Sequence, residues 1–230
     1  MDLTDKTVVV TGAASGIGAE LARRFHAEGA KHVICADLNE EGAKATAAEV
    51  GGTAFTANVA NEDDIKTLID TVEANIGSID LFCSNAGIGI GGGAEASNDG
   101  WQNIWEINVM AHIWAARHLI PLMTARGGGY LLNTASAAGL LSQIGSAPYA
   151  VTKHAAVGFA EWIALTHGDD GIKVSVLCPQ AVRTAMTADN QDGVASIDGL
   201  MEPTELADAV VKGLNNESFL ILPHPEVLKY

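Results

Sequence analysis

The sequence predicts a doubly wound α/β domain, in which helices cover both faces of a parallel sheet of about seven strands. Short runs that are apolar almost throughout alternate along the chain with helical patterns of ten or more residues. Strands without polar alternation are buried on both faces, and helical crossovers between them impose parallel pairing. Because the 230 residues contain no linker, low-complexity tract or internal repeat, we expect a single domain over 1–230.

Each element follows from one of these runs. The predicted strands are 7–11, 32–36, 53–57, 79–84, 130–135, 172–178 and 218–222. The predicted helices are 16–28, 40–50, 62–76, 101–125, 148–167 and 203–214. Glycines follow the first three helices, and Pro203 suits the first turn of the last one. The stretch 185–201 has no periodicity, so we expect a substrate loop there, with a surface insertion as the alternative.

Composition excludes several classes of function. The net charge of −15 would repel nucleic acids and anionic membrane surfaces. No apolar stretch approaches the roughly 20 residues of a membrane span, and the N-terminal residues carry no signal pattern. We therefore expect a cytoplasmic protein. Cys35, Cys83 and Cys178 lie in apolar strand-like runs without metal-ligand spacing, which predicts buried thiols and no metal site.

The segment "TGAASGIG", residues 11–18, follows the first predicted strand and opens the first predicted helix. Gly12, Gly16 and Gly18 allow unusual backbone angles and the close approach of another group. Free N–H groups and the dipole at a helix N-terminus attract anions, so this turn is a candidate phosphate cradle. An ordinary turn between strand and helix is the alternative.

Five further motifs follow in order. They are Asp37 at the end of the second strand, Asn58-Val59 after the third, Ser84-Asn85-Ala86-Gly87 after the fourth, the set Asn108, Ser136, Tyr149 and Lys153, and "PQAVRT" at 179–184. Together with the glycine turn they resemble the motifs of the short-chain dehydrogenase/reductase family, in its short, single-domain, NAD-dependent branch. The resemblance covers essentially the whole chain and implies a Rossmann-type fold.

The resemblance implies a catalytic role for Asn108, Ser136, Tyr149 and Lys153. An unperturbed tyrosine has a pKa near 10, too high for a good base at neutral pH. Lys153 lies one helical turn after Tyr149, and its charge, with that of an oxidised nicotinamide, would favour the phenolate. Ser136 would stabilise charge on the substrate oxygen. Asn108 would fix a water that relays protons from Lys153.

The implied cofactor is NAD. The expected cofactor-binding residues are Gly12, Ser15, Gly16, Ile17, Gly18, Asp37, Leu38, Asn58, Val59, Asn85, Ala86, Gly87, Tyr149, Lys153, Pro179, Val182 and Thr184. Asp37 would accept hydrogen bonds from the ribose hydroxyls and repel the 2′-phosphate of NADP. No basic residue stands in the glycine turn or at Leu38 and Asn39, so we expect a preference for NAD.

The expected substrate-binding residues are Ser136, Gln143, Tyr149, Gln180 and Met186. Their surroundings, mostly small or apolar, favour a moderately hydrophobic secondary alcohol or ketone. Gln180 replaces the glycine usual in the family, which implies backbone strain, a different loop path, or a side chain that reaches the substrate. The family's pairing of long helices implies a homodimer or homotetramer, unless both helices pack only on their own sheet.

These observations predict an oxidoreductase that transfers a hydride between NAD(H) and a secondary alcohol or ketone, with Tyr149 as general base or acid. A catalytically silent NAD(H)-binding sensor or scaffold with the same fold is the alternative. The intact set of Asn108, Ser136, Tyr149 and Lys153 favours the enzyme.

Overall fold

Seven parallel strands form one sheet in the order β3-β2-β1-β4-β5-β6-β7. The computed structural model describes residues 1–188, 196–197 and 199–230. The strands are β1 Thr7–Thr11, β2 His32–Asp37, β3 Thr53–Thr56, β4 Leu81–Ser84, β5 Gly129–Thr134, β6 Ile172–Leu177 and β7 Leu220–Ile221. The predicted α/β fold class is confirmed. After β3 the chain crosses to the other half of the sheet, so the switch point lies between the neighbouring strands β1 and β4. Such a switch point leaves a crevice at the carboxyl ends of the strands.

Helices cover both faces of this sheet. They are α1 Gly16–Ala27, α2 Glu40–Glu49, α3 Glu62–Asn75, α4 Asn98–Trp105, α5 Ala111–Ala125, α6 Ala147–His167 and α7 Pro203–Asn215. Val8 and Val10 of β1 face the core under α1, α2 and α7, whereas Val9 faces the core under α3, α5 and α6. Burial on both faces explains why the strands lack polar alternation. No helix in the described ranges is long and apolar enough to span a membrane.

The predicted helix 101–125 is wrong in its extent and continuity. It begins earlier, at Asn98, because the Ser97 hydroxyl accepts a hydrogen bond from the Gly100 N–H at 3.1 Å and caps α4. Between α4 and α5 the segment Glu106–Met110 is a π-helix. Apolar periodicity cannot distinguish one wide turn from α-helix, so the π-helical segment could not be predicted from the sequence pattern. Asn108 lies in this segment.

Smaller differences occur at the ends of other elements. The predicted strand 218–222 is reduced to Leu220–Ile221, which pairs only with β6 at the edge of the sheet. β4 begins at Leu81 rather than 79, because the Ile79 N–H donates to the Glu73 carboxylate at 2.8 Å. In the expected substrate loop, Ala185–Thr187 forms a 3₁₀ turn, and residues 189–195 and 198 lie outside the described residues. The three cysteines are free and buried, as predicted.

Candidate active site

A cleft of about 640 Å³ lies at the carboxyl ends of the strands and extends from the glycine turn to Tyr149. It brings together most of the residues that the sequence singles out: Gly12, Ser15, Gly16, Ile17, Gly18, Asn85, Ala86, Gly87, Ser136, Gln143, Tyr149, Lys153, Pro179, Gln180, Val182, Thr184 and Met186. Asp37, Leu38, Asn58, Val59 and Asn108 are not among its lining residues.

The glycines at 12 and 18 are required by close packing within the turn. Gly12 has a φ of +70°, and a Cβ there would lie 2.9 Å from the Cα of Ala86. A Cβ on Gly18 would lie 2.1 Å from the carbonyl oxygen of Gly12. The turn therefore places the N-terminus of α1 directly on the cleft. This arrangement fits a bound pyrophosphate, whose charge the helix dipole would stabilise.

Asp37 braces the glycine turn, a role that sequence reasoning missed. Its Oδ2 accepts a hydrogen bond from the Ala14 N–H at 2.9 Å, and its Oδ1 accepts one from the Asn39 N–H at 2.9 Å. The carboxylate thus stands at the carboxyl end of β2, beside the cleft. Leu38 next to it is 68% exposed.

Asn58 and Val59 follow β3, farther along the same edge of the sheet. Asn58 is exposed, and its Oδ1 accepts from the Ala60 N–H at 3.0 Å. Its own N–H donates to Asp64 at 2.8 Å. These bonds shape the start of α3, and the adenine contact predicted for both residues stays a prediction.

The Asn85 side chain ties three strand ends together. Its Nδ2 donates to the Thr11 carbonyl at 3.0 Å, and its Oδ1 accepts from the Thr134 hydroxyl at 3.2 Å. The Thr11 hydroxyl in turn accepts from the Asn85 N–H at 3.0 Å. These bonds hold β1, β4 and β5 in place around the cleft. The two threonines were missed because a threonine at a strand end carries no distinctive signal.

Tyr149 and Lys153 lie one turn apart on α6, with the Lys153 Nζ 5.5 Å from the centre of the Tyr149 ring. The Nζ also donates to the Thr134 carbonyl at 3.0 Å. Ser136, at the end of β5, donates to the Pro179 carbonyl at 3.3 Å and accepts from the Ala138 N–H at 3.2 Å. The three side chains therefore converge at one end of the cleft.

Asn108 lies behind the cleft and is fully buried. Its Nδ2 donates to the Ile88 carbonyl at 2.9 Å and to the Thr152 hydroxyl at 3.2 Å, while its Oδ1 accepts from the Ile88 N–H at 2.9 Å. The side chain thus fastens the π-helical segment to α6 and to the chain after β4. A Cβ on Gly87 would lie 3.2 Å from the Asn108 Oδ1 and 3.4 Å from the Lys153 Nζ, so this glycine keeps the approach open.

Burial dominates the protonation of both helical side chains. It lowers the pKa of Lys153 to about 8. It raises the pKa of Tyr149 above its ordinary value, and hydrogen bonding with Ser136 opposes that rise. The lowered tyrosine pKa that we expected is therefore not produced by the chain alone. A positive charge bound beside the phenol would be needed to favour the phenolate.

Gln180 replaces the family's glycine without strain. Among the described residues other than glycine, only Asp5 and Glu217 have a positive φ, so of the three alternatives for Gln180 a strained backbone does not apply. Its N–H donates to the His224 Nδ1 at 3.2 Å, which connects this loop to the C-terminal residues. The Gln180 side chain lines the cleft beside Pro179.

Apolar side chains surround the open end of the cleft. Ile144 is 78% exposed and Met186 is 57% exposed, and both line the cleft. Gln143 contributes an amide to the same wall. A large apolar side chain exposed at the entrance of a concave site is typical of ligand contact.

Comparisons with known proteins agree with this geometry. The family model described as short chain dehydrogenase matches residues 6–195. The chain is 36% identical over 225 residues to 2,5-dichloro-2,5-cyclohexadiene-1,4-diol dehydrogenase of Sphingobium indicum, covering 91% of this chain and 90% of the relative. It is 29% identical over 228 residues to cyclohexanol dehydrogenase of an Acinetobacter species, covering 94% and 90%.

A solved structure has the same fold over the full length. It is a short chain dehydrogenase/reductase from Burkholderia phymatum in complex with NAD, with a TM-score of 0.89 and 26% identity. The superposition covers 100% of this chain and 92% of that one.

Proposed function

The chain belongs to the short-chain dehydrogenase/reductase family of oxidoreductases, and we propose that it transfers a hydride between NAD(H) and a secondary alcohol or ketone. One observation carries the proposal. Ser136, Tyr149 and Lys153 converge at one end of a cleft whose other end is the glycine turn. This geometry would hold a reacting oxygen beside an acid–base group and a dinucleotide along the rest of the cleft.

NAD, when bound, supplies the acceptor of the hydride. The phenolic oxygen of Tyr149 takes the proton of the alcohol during oxidation and returns it to the ketone during reduction. The Ser136 hydroxyl donates a hydrogen bond to the same substrate oxygen and stabilises its developing charge. The Lys153 ammonium favours the phenolate electrostatically. Asn108, which donates a hydrogen bond to Thr152 of α6, would fix a water that relays protons from Lys153.

We assign the cofactor contacts to the predicted residues. The N–H groups of Ser15, Gly16 and Ile17 hold the pyrophosphate, and Ala86 and Gly87 line the ribose path. Val182 and Thr184 contact the carboxamide of the nicotinamide. Asn58 and Val59 contact the adenine.

Asp37 selects NAD over NADP, because its carboxylate accepts from ribose hydroxyls and repels a 2′-phosphate. Calorimetry is expected to show at least roughly 100-fold tighter binding of NADH than of NADPH, about 2.7 kcal/mol. In Asp37→Asn the charge is lost, and the NH2 that replaces one carboxylate oxygen cannot accept, so only one of the hydrogen bonds from the Ala14 and Asn39 N–H groups remains. The preference for NADH over NADPH should become smaller, and NADH should also bind more weakly. Comparable affinities of the wild-type protein for the two cofactors would refute this assignment.

The substrate is a moderately hydrophobic alcohol or ketone. Ile144 and Met186 provide apolar contact at the entrance, and Gln143 and Gln180 provide amides. The relatives named as cyclohexanol and cyclohexadiene-diol dehydrogenases make cyclic alcohols the first compounds to try.

The test is the formation of NADH from NAD with secondary alcohols, cyclohexanol first. The matched control is 1-methylcyclohexanol, which is similar in size but has no hydrogen on the carbinol carbon to transfer. We expect NADH with secondary alcohols and none with the tertiary one. If NADH binds but neither alcohols with NAD nor ketones with NADH react, the proposal fails and a silent NAD(H)-binding sensor replaces it.

We also propose a homodimer or homotetramer in the cytoplasm. On α6, Ala156, Ala160 and Ile163 are buried against the sheet, whereas Trp162 and Leu165 are 54% and 81% exposed. The sheet therefore does not account for all the apolar residues of this helix. Sedimentation velocity distinguishes a monomer from either oligomer.

A further inference from the structure

His112, the second residue of α5, is a buried titratable side chain that the proposed mechanism does not use. It is 2% exposed, and neither ring nitrogen makes a hydrogen bond of good geometry to a described residue, although the Asn133 side chain lies close enough to affect its pKa. Asn133 of β5 is 3% exposed, and its Nδ2 also lacks a partner there. A buried polar atom without a partner costs about 1–3 kcal/mol, so three such atoms call for an explanation.

These atoms lie in the same layer as Lys153. Side chains alternate along β5, and Leu131 and Ala135 belong to the core under α3, α5 and α6. Asn133, between them, faces that layer too, where His112 projects from α5 and Lys153 from α6. Burial, and then the charge of Lys153, lowers the pKa of His112 to about 4, while Asn133 opposes this shift. His112 is therefore neutral at working pH and close enough to Lys153 to respond to its charge.

The Lys153 ammonium also has N–H donors without an acceptor in the described part of the chain. It is 3% exposed and has three N–H donors, one of which is directed to the Thr134 carbonyl. No direct hydrogen bond joins it to His112 or Asn133. One buried water typically makes two to four hydrogen bonds to such groups, and a water can connect an ammonium with a neutral imidazole.

We propose that His112 and Asn133 are positioning residues that hold a buried water against Lys153 and keep its ammonium charged and in place. The inference rests on the proposed function, because it gives these residues a purpose only through the role of Lys153. The sequence alone did not suggest it, since a lone histidine on a helix is usually a packing or surface residue.

The other groups around Lys153 do not supply a negative charge. Tyr149 lies on the same helix, and Cys178 follows β6. A Cys178 thiolate would raise the pKa of Lys153, but burial raises the pKa of the thiol to about 11, so it is neutral at working pH. Among the described residues, no carboxylate contributes to the lowered pKa of Lys153. Dipoles and water are left to stabilise the ammonium, and neutral His112, which is close enough to respond to the charge of Lys153, has both a donor and an acceptor.

The test compares His112→Leu with His112→Gln. Leucine fills similar volume but removes the donor and the acceptor, so Lys153 should lose its proton at lower pH. The alkaline limb of the pH profile of kcat/KM for alcohol oxidation should move down by about one pH unit, a roughly tenfold loss above it. Glutamine keeps a donor and an acceptor and should restore most of the wild-type profile. His118→Leu, on the same helix but in contact with Glu62, is the matched control and should leave the profile unchanged.

A second readout does not need turnover. NMR titration of isotope-labelled lysine, with the Lys153 signal assigned by difference from Lys153→Met, should show a lower pKa for Lys153 in His112→Leu than in the wild-type protein. The result that overturns the inference is a His112→Leu variant with an altered melting temperature but an unchanged titration of Lys153. A wild-type protein that oxidises no alcohol refutes the proposed function instead, and the titration still decides the role of His112.

Discussion

At the scale of single residues, Lys153 combines a stability cost with a chemical use. Its ammonium is taken out of water by the packing of α6 on β5, which is why its pKa falls to about 8. The same packing places it 5.5 Å from the centre of the Tyr149 ring, where its charge can act on a phenolate. Function at this position therefore opposes stability, as is common at active sites.

Replacement of this side chain should stabilise the folded protein. The pKa of Lys153 is about 8 in the folded protein and 10.5 ordinarily. This difference lowers the free energy of unfolding at neutral pH by about 3 kcal/mol. Lys153→Met should raise the free energy of unfolding by up to that amount at pH 7, less the lost hydrogen bond to Thr134.

The pH dependence of stability checks the sign of this predicted effect of Lys153→Met. Between pH 8 and 10.5 the unfolded chain binds the proton that folded Lys153 has released, so the stability of the wild-type protein rises with pH. The advantage of Lys153→Met should therefore disappear above about pH 10.5, where both states are neutral. Urea unfolding of the wild-type protein and of Lys153→Met at pH 7 and pH 10.5 measures the difference in their stability at each pH. A variant that is less stable than wild type at both would contradict the assignment of burial as the cause.

At the scale of elements, the turn between β1 and α1 is set by contacts that leave no room for side chains. Gly18 packs against the Gly12 carbonyl, Gly12 packs against Ala86, and Asp37 holds the Ala14 N–H from outside. The turn is therefore fixed by groups from three strand ends. A bound anion would meet N–H groups that are already in position, which reduces the cost of binding.

Gly18→Ala should abolish NADH binding, because the new Cβ would lie 2.1 Å from the carbonyl oxygen of Gly12. The backbone of the turn has to move to accept it. Lys44→Ala, on the exposed side of α2 and not among the residues that line the cleft, is the control and should leave NADH binding unchanged. Fluorescence titration with NADH and thermal unfolding of both variants test this. Wild-type affinity in Gly18→Ala would show that the turn is not the phosphate cradle.

The segment between the 3₁₀ turn Ala137–Gly139 and α6 contributes the apolar entrance of the cleft. Ile144→Ser should lower kcat/KM for cyclohexanol by about tenfold, since the full contact of such a side chain contributes about 1.5–3 kcal/mol. Leu141→Ser is the matched control, because Leu141 is also exposed but does not line the cleft. Steady-state kinetics that show equal losses in both variants would place the substrate elsewhere.

At the scale of the whole molecule, the sheet and its order of helices could be predicted because nearly every strand is a continuous apolar run between clear helix ends. The set at Ser136, Tyr149 and Lys153 could be grouped only through the family resemblance, because spacing alone places just Tyr149 and Lys153 one helical turn apart. The π-helical segment around Asn108 could not, since its apolar spacing is still helical. The bracing by Asp37 and the burial of His112 depend on contacts between distant elements, which spacing along the chain does not encode.

The central claim is that the cleft performs hydride transfer with Tyr149 as its acid–base group. The most direct measurement compares the wild-type protein with Tyr149→Phe, recording NADH formation from NAD and a secondary alcohol together with NADH binding by fluorescence. We expect unchanged NADH binding and a rate at least about 100-fold lower in the variant, because general acid–base catalysis usually contributes that much. A variant that binds NADH and oxidises the alcohol as fast as the wild-type protein would contradict it.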